Sequence, residues 1–222
     1  MKKYIIIVAG GIGRRMNGNI PKQFLLLKGK PVLFYTIEIF YKYSSDIPII
    51  LVLPQDQIIR WKELCFQYQL NISHQIVEGG TTRFHSVKNG LSEIKETCLV
   101  GIHDGARPLV SLQTISRTFE MAEIKGNAVP VVSVNESLRV VNEKGNQSVD
   151  REAIKIIQTP QCFYSEQIKK AYDQEYKESF TDDATVLEAM GEKINLVEGN
   201  IENIKITNPI DLLFAENLIT TL

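Results

Sequence analysis

Cysteine is scarce: Cys65, Cys98 and Cys162 are widely spaced and odd in number. With no CxxC pair, neither a zinc site nor a disulfide framework is supported, and a reducing compartment fits best. Net charge is nearly absent, with 25 Lys plus Arg against 26 Asp plus Glu for a formal −1. That balance argues against a general binder of nucleic acid or membrane surfaces and leaves room for a local basic patch. Long apolar runs are missing too. The one at residues 4–9 stops at Gly10-Gly11-Ile12-Gly13-Arg14-Arg15, whereas a membrane helix needs about 20 apolar residues. It is also too short and wrongly flanked for a signal peptide, so no membrane association and a soluble, cytoplasmic protein are expected. Neither G-x-S-x-G nor H-E-x-x-H occurs, which removes a hydrolase nucleophile elbow and a zinc protease.

What is present is a core and a rhythm. Apolar residues make up 44% of the 222, enough for one large domain, expected over residues 1–222, without disulfides or a structural metal. Short apolar runs at 4–9, 47–53, 72–77, 98–103 and 128–132 read as buried strands of a mainly parallel sheet. Between them lie helical spacings: Leu33, Ile37, Phe40; Trp61, Cys65, Tyr68; Val87, Leu91, Ile94; Ile115, Phe119, Ala122. Four consecutive βα units imply an α/β fold, a doubly wound twisted sheet with helices on both faces. Further helices are expected around 166–176, 184–190 and 211–222, and further strands at 194–197 and 204–206. One region breaks the rhythm. Residues 137–141 and 148–151 flank a polar, Gly-containing turn and read as a β-hairpin. An isolated ribbon is marginal in water, so residues 133–151 are expected to project as an arm that docks on a second copy, making a homodimer.

Ligands of open α/β sheets bind beyond the carboxyl ends of the strands, so chemistry is expected just after each strand. The first such segment, residues 10–22, holds Gly10, Gly11 and Gly13 with Arg14, Arg15 and Lys22 and no acid. Bare backbone amides plus three cations describe a polyphosphate cradle. It is no Walker A loop, and the dinucleotide fingerprint fails at Met16, where its third Gly belongs. The second segment, Gly79-Gly80-Thr81-Thr82-Arg83, leads into a helix bearing Ser86 and offers amides and hydroxyls suited to a nucleobase edge. Taken alone it reads more simply as a turn with Thr82 as N-cap. The third is His103-Asp104-Gly105-Ala106-Arg107-Pro108. A carboxylate at a strand end can hold Mg²⁺ against phosphate oxygens; the plainer reading is an Asp-Gly turn closed by Pro108. His103 reads as packed or backbone-bonded, Thr181-Asp182-Asp183 as a helix cap, and Lys205 as an exposed lysine on a strand. Taken together, the three loops describe a nucleotide site with phosphates, base and metal separately placed.

The segment from Ala9 to Met16, followed by Pro21-Lys22-Gln23-Phe24, resembles the signature of nucleotidyltransferases that activate sugar and polyol phosphates. Within these it is most similar to the 2-C-methyl-D-erythritol 4-phosphate cytidylyltransferase family. The likeness runs through the second and third loops, Val149-Asp150-Arg151, Gln158-Thr159-Pro160-Gln161-Cys162-Phe163, Thr181-Asp182-Asp183-Ala184 and Asn203-Ile204-Lys205-Ile206-Thr207. The resemblance implies a Rossmann-like fold, CTP and a polyol phosphate as substrates, and Mg²⁺ or another divalent cation as cofactor. It implies that Arg15, Lys22 and Lys205 are the catalytic cations, against the surface-lysine reading of Lys205. Ala9, Gly10, Gly11, Gly13, Gly80, Arg83, Ser86, Asp104 and Gly105 are then the CTP residues, with Asp104 also the metal ligand. Arg107, Ser137, Arg151 and Lys205 are the polyol-phosphate residues, Ser137 and Arg151 reaching from the neighbouring subunit's arm. The sequence departs from the family pattern at Ser137, where Thr is usual, and at Gly10 and Gly105, where Ala is frequent. A ribitol-5-phosphate cytidylyltransferase and a non-catalytic CTP-binding module are the alternatives; a dehydrogenase is opposed by Met16.

Overall fold

Residues 3–8 carry consecutive Ile and Val side chains, whose branching at Cβ favours an extended backbone. They form β1 (Lys3–Val8) at the centre of a mixed, mostly parallel sheet. The computed structural model describes residues 1–10 and 20–219. After β1 the chain forms a small antiparallel pair, β2 (Leu26–Leu27) and β3 (Lys30–Pro31), and then α1 (Val32–Tyr43). Next come β4 (Ile49–Leu53), α2 (Gln55–Gln67), β5 (Gln75–Glu78), α3 (Arg83–Ser92), β6 (Leu99–Asp104), α4 (Leu112–Lys125) and β7 (Asn127–Ser133). β4 and β6 flank β1 in parallel, so that Val8 sits beside Val52 on one side and Asp104 on the other. β5 pairs outside β4. The chain therefore winds outward through β4 and β5, then returns to the opposite edge of β1. This reversal opens a crevice at the carboxyl ends of β1 and β6.

The helices cover both faces. Ile5 and Ile7 join one core with Phe34, Phe40, Trp61 and Phe119, while Ile6 and Val8 join the other with Val87, Leu91, Val100 and Ile168. Burial on both sides explains why β1 is apolar throughout instead of alternating; each such side chain contributes about 1.5–3 kcal/mol. Caps set the helix starts. Thr82 Oγ1 accepts from the His85 N–H, Ser111 Oγ from Thr114, and Asp182 forms a reciprocal capping box with Thr185 at α6 (Asp183–Glu188). The helix-cap readings of Thr82 and Thr181-Asp182-Asp183 are thus realised.

The strands expected at 4–9, 47–53, 72–77, 98–103, 128–132 and 194–197 and the first four helices all appear, with ends displaced by a few residues. Three features differ. β11 (Gln161–Tyr164) inserts antiparallel between β6 and β7, and β10 (Lys155–Ile157) pairs antiparallel with the far part of β7. Neither is legible as a strand in the sequence, because runs of three or four residues carry little periodicity. The segment 204–206 is not a strand: it is an extended loop whose Ile206 N–H donates to the Ala106 carbonyl. The helix expected over 166–176 is α5 (Ser165–Ala171), closed by Gln174, whose amide donates to the Ala171 and Val186 carbonyls. β12 (Leu196–Glu198) runs parallel to β7, and α7 (Pro209–Ile219) packs over β2 with Leu27, Val32 and Ile206. The expected hairpin is β8 (Leu138–Asn142) paired with β9 (Gly145–Val149) in a sheet of its own. Among the described residues no helix is long and apolar enough to cross a membrane.

Candidate active site

Asp104 ends β6, at the crevice, and is 7% exposed. Three cations converge on its carboxylate. Arg83 Nε lies 3.5 Å from Oδ1; Arg107 Nε and Lys205 Nζ lie 3.2 and 3.0 Å from Oδ2. Each arrives by a different route. Arg83 is the first residue of α3, placed by the Thr82 cap. Arg107 follows β6 in a turn closed by its own N–H on the Asp104 carbonyl. Lys205 lies on the 204–206 loop, which Asn203 fastens by donating to the Thr159 carbonyl and accepting from Arg107 Nη1. Burial opposes the Asp104 charge, but Arg83, Lys205 and Arg107 outweigh it and hold the carboxyl well below the usual carboxylate range.

Arg83 serves a second acid. Its Nη1 and Nη2 donate in a bidentate fork to Asp183, at 2.8 and 2.7 Å, and the Tyr172 hydroxyl donates to the same carboxylate at 2.6 Å. Burial works against the guanidinium charge, yet Asp183 and Asp104 hold its pKa well above the ordinary value. Counting both acids against Arg83, Arg107 and Lys205 leaves one positive charge in excess, which favours an anionic ligand.

Above this cluster lies a cleft of about 280 Å³, lined by Ala9, Gly10, Lys22, Gly80, Ser86 and Lys205 among others. A second, of about 250 Å³, adjoins it through Arg83, Asp104 and Lys205 and extends to Arg107, Thr159 and Thr181. Lys22 is held beside the first by its neighbour Phe24, which is buried and stacks on Trp61 at 6.1 Å. The second loop is tightly closed: Gly79 N–H donates to the Leu53 carbonyl, Gly80 N–H to Ser86 Oγ, and Ser86 Oγ to the Thr82 carbonyl. The amides expected to face a base are thus engaged within the chain. A Cβ at Gly80 would lie 2.3 Å from that of His85, so only glycine fits there. Gly105 is likewise internal. Its N–H donates to the Val8 carbonyl and its carbonyl accepts from Thr36, while Ala106 lines the cleft.

The family model for IspD, 2-C-methyl-D-erythritol 4-phosphate cytidylyltransferase, matches residues 4–221. The chain is 52% identical over 219 residues to the 2-C-methyl-D-erythritol 4-phosphate cytidylyltransferase of Phocaeicola vulgatus, covering 99% of this chain and 100% of that relative. It also resembles the crystal structure of 4-diphosphocytidyl-2C-methyl-D-erythritol synthase from Anaerococcus prevotii. There the TM-score is 0.84 at 27% identity, covering 99% of this chain and 96% of that one. For the crystal structure of the Thermus thermophilus 2-C-methyl-D-erythritol 4-phosphate cytidylyltransferase the TM-score is 0.80 at 31% identity, covering 99% and 100%. The chain belongs to this family. It is therefore a nucleotidyltransferase of Rossmann-like α/β fold.

The structure brings together Ala9, Gly10, Lys22, Gly80, Arg83, Ser86, Asp104 and Lys205 around one cleft, with Arg107 in the adjoining one. Lys205 is not the exposed strand lysine of the plain sequence reading; the Ile206–Ala106 bond turns it onto Asp104. Gly11, Gly13, Arg14, Arg15 and Met16 lie outside the described residues. Ser137 and Arg151 line neither cleft. They flank the β8–β9 hairpin, where Arg151 Nη1 donates to the Asn135 carbonyl and Val141 is 77% exposed.

His103 is packed and bonded, as expected. Its Nε2–H donates to the Arg107 carbonyl and its Nδ1 accepts from the Thr159 hydroxyl, each at 3.0 Å, and burial pushes its pKa down to about 4. Among the described residues no group of three or more His, Cys, Asp or Glu side chains could hold a metal by itself. The donor chemistry nevertheless fits a hard divalent cation, since Asp104 is an ionised oxygen ligand and Mg²⁺ commonly takes one or two carboxylates plus substrate phosphates. Sequence reasoning placed Gln23 and Asp183 inside motifs but gave neither a role beside Ala9 or Arg83, and it missed Tyr172 and Gln57, which bond to Asp183 and Gln23. These contacts cross between separate elements, and no local pattern marks Tyr172 or Gln57.

Proposed function

We infer that the chain carries out its family's reaction. It transfers the cytidylyl group of CTP to 2-C-methyl-D-erythritol 4-phosphate, giving 4-diphosphocytidyl-2-C-methyl-D-erythritol and pyrophosphate in isoprenoid precursor biosynthesis. The observation that carries this reading is the Asp104 cluster, a single carboxylate that sits under three cations and lines a cleft that Gly80 and Ser86 also line. Such a site handles phosphate charge, and it needs no side-chain nucleophile, because the phosphate of the second substrate attacks.

A phosphate oxygen of the polyol phosphate adds in line to the α-phosphorus of CTP, the bond to the bridging oxygen breaks, and pyrophosphate leaves with that electron pair. Lys22 and Lys205, with Arg15 from the Gly-rich loop, offset the negative charge that accumulates at the phosphorus. Asp104 orients Lys205 and is the side chain that would hold Mg²⁺ or a similar cation. Bound there, the cation supplies further charge neutralisation. Ser86 and the Gly10 and Gly80 loops flank the cytidine, and Arg107 faces the polyol phosphate from the adjoining cleft. The whole chain, residues 1–222, acts as one catalytic domain with 133–151 as its arm. Ser137 and Arg151 act in trans: the exposed Val140, Val141 and Ile156 supply apolar surface for a second copy.

A pyrophosphate-release assay with CTP, Mg²⁺ and a panel of polyol phosphates tests the reaction. Turnover is expected with methylerythritol phosphate, and turnover with ribitol 5-phosphate in its place would reassign the substrate. Lys22→Ala is expected to fold and to lose about 10²–10³ in kcat. Sedimentation showing only monomer at micromolar protein would remove the dimer and with it the trans roles.

A further inference from the structure

Gln23 is the middle residue of the Lys22–Phe24 turn, lines the larger cleft and is only 1% exposed. Its Nε2 donates to the Ala9 carbonyl at 2.7 Å and to Gln57 Oε1 at 2.6 Å. Its Oε1 is buried and has no hydrogen-bond partner among the described residues. Turning the amide over gives no relief, because it would set Oε1 against the Ala9 oxygen, acceptor against acceptor. An unpaired buried acceptor costs about 1–3 kcal/mol. A side chain kept for stability alone would be apolar here, so the arrangement points to the contact that the cost maintains, the one to Ala9.

That contact has a geometric consequence. The Ala9–Gly10 peptide is trans, so the Ala9 C=O and the Gly10 N–H point in opposite directions from one plane. Fixing the oxygen on Gln23 turns the Gly10 N–H to the other side of the chain. Gly10 lines the cleft, and a Cβ added to it would lie 3.6 Å from Ser86 Oγ, on the side where the second loop closes. Gln57, near the start of α2, holds the clamp from behind and is itself only 8% exposed. The clamp also ties the strand end that opens the 10–22 segment to the turn that closes it.

We propose that Gln23 is a positioning residue for the nucleotide: it grips the Ala9 carbonyl so that Gly10 presents its amide to CTP, with Gln57 as its support. This rests on the CTP reading above and assigns Gln23 no contact with the reacting atoms.

The test is calorimetric CTP titration together with steady-state kinetics on wild type, Gln23→Met and Gln57→Met. Gln23→Met keeps the side chain's length but cannot donate to Ala9. Its Kd and KM for CTP are expected to rise about tenfold, the equivalent of one oriented hydrogen bond. The KM for the polyol phosphate should stay within roughly twofold, a split that general loosening of the fold would not produce. Gln57→Met, which leaves the Ala9 contact in place, should move CTP affinity in the same direction by less. An unchanged CTP Kd in Gln23→Met, or an equal rise in the KM of both substrates, overturns the proposal. If Gln23→Met does not fold, Gln57→Met decides, and an unshifted CTP Kd there overturns it as well. Wild type that binds CTP but releases no pyrophosphate refutes the catalytic reading while the titrations still judge the clamp. Wild type that does not bind CTP refutes both.

Discussion

Acidification should destabilise this protein through His103 before its carboxylates matter. The ring is fully buried at the end of β6, one residue from Asp104. The Arg107 carbonyl can only accept, so Nε2 carries the proton and Nδ1 is the acceptor for Thr159. Thr159 Oγ1 in turn accepts the Asp104 N–H at 3.1 Å. Burial lowers the pKa from 6.5 to about 4, so between those values the unfolded chain binds a proton that the folded chain refuses. Stability is therefore complete above the unfolded value and falls as the pH drops toward the folded one. The gap corresponds to roughly 3 kcal/mol once the pH is below both values, and to about 2 kcal/mol at about pH 5. Urea titrations of wild type and His103→Gln at about pH 7.5 and about pH 5 isolate this contribution, since other titrating groups are common to both proteins. His74, whose pKa is also lowered by burial, cancels in the comparison. Asp104, held below the ordinary range, loses its contribution only at lower pH. The wild type is expected to lose about 2 kcal/mol more than the variant across this interval. Matching losses, within about 0.5 kcal/mol, would refute the buried neutral imidazole.

Asp183→Asn should cost about 3–5 kcal/mol in the same urea assay, because it breaks a buried bidentate pair and leaves Arg83 with Asp104 as its one acid. A loss below about 1 kcal/mol would place the pair among solvent-screened bridges. Gly80→Ala should weaken CTP binding and cost about 1–3 kcal/mol, since the new methyl collides with His85 and must push the start of α3 aside. A crystal structure of that variant with residues 79–85 unmoved would contradict the collision.

Much of the fold is legible in the chain. Ile5 to Val8 are apolar without interruption, which demands burial on both faces, and Thr82 and the Thr181-Asp182-Asp183 segment mark where helices begin. The strand-end rule then directs attention to Asp104 and the Gly79–Arg83 loop before any coordinate is known. Legibility stops where an element is short or a partner distant. β11 spans four residues and takes its direction from β6 and β7, to which it bonds on either side. Lys205 looks like a surface lysine in its own segment, and the Ile206–Ala106 bond together with the Asn203 contacts carries it to Asp104.

Sequence by itself determined the alternation of strands and helices, the β8–β9 hairpin, and the loops where phosphate and base are expected, because these follow from local pattern and from the one rule for strand ends. Tertiary structure alone decided which charges meet. Arg83 and Asp183 are 100 positions apart, Gln23 reaches Ala9 and Gln57 from either side in the chain, and the amides of Gly80 and Gly105 prove to be spent inside the fold. Hydrogen bonds and ion pairs depend on distances of a few ångströms in space, and separation along a chain does not specify those.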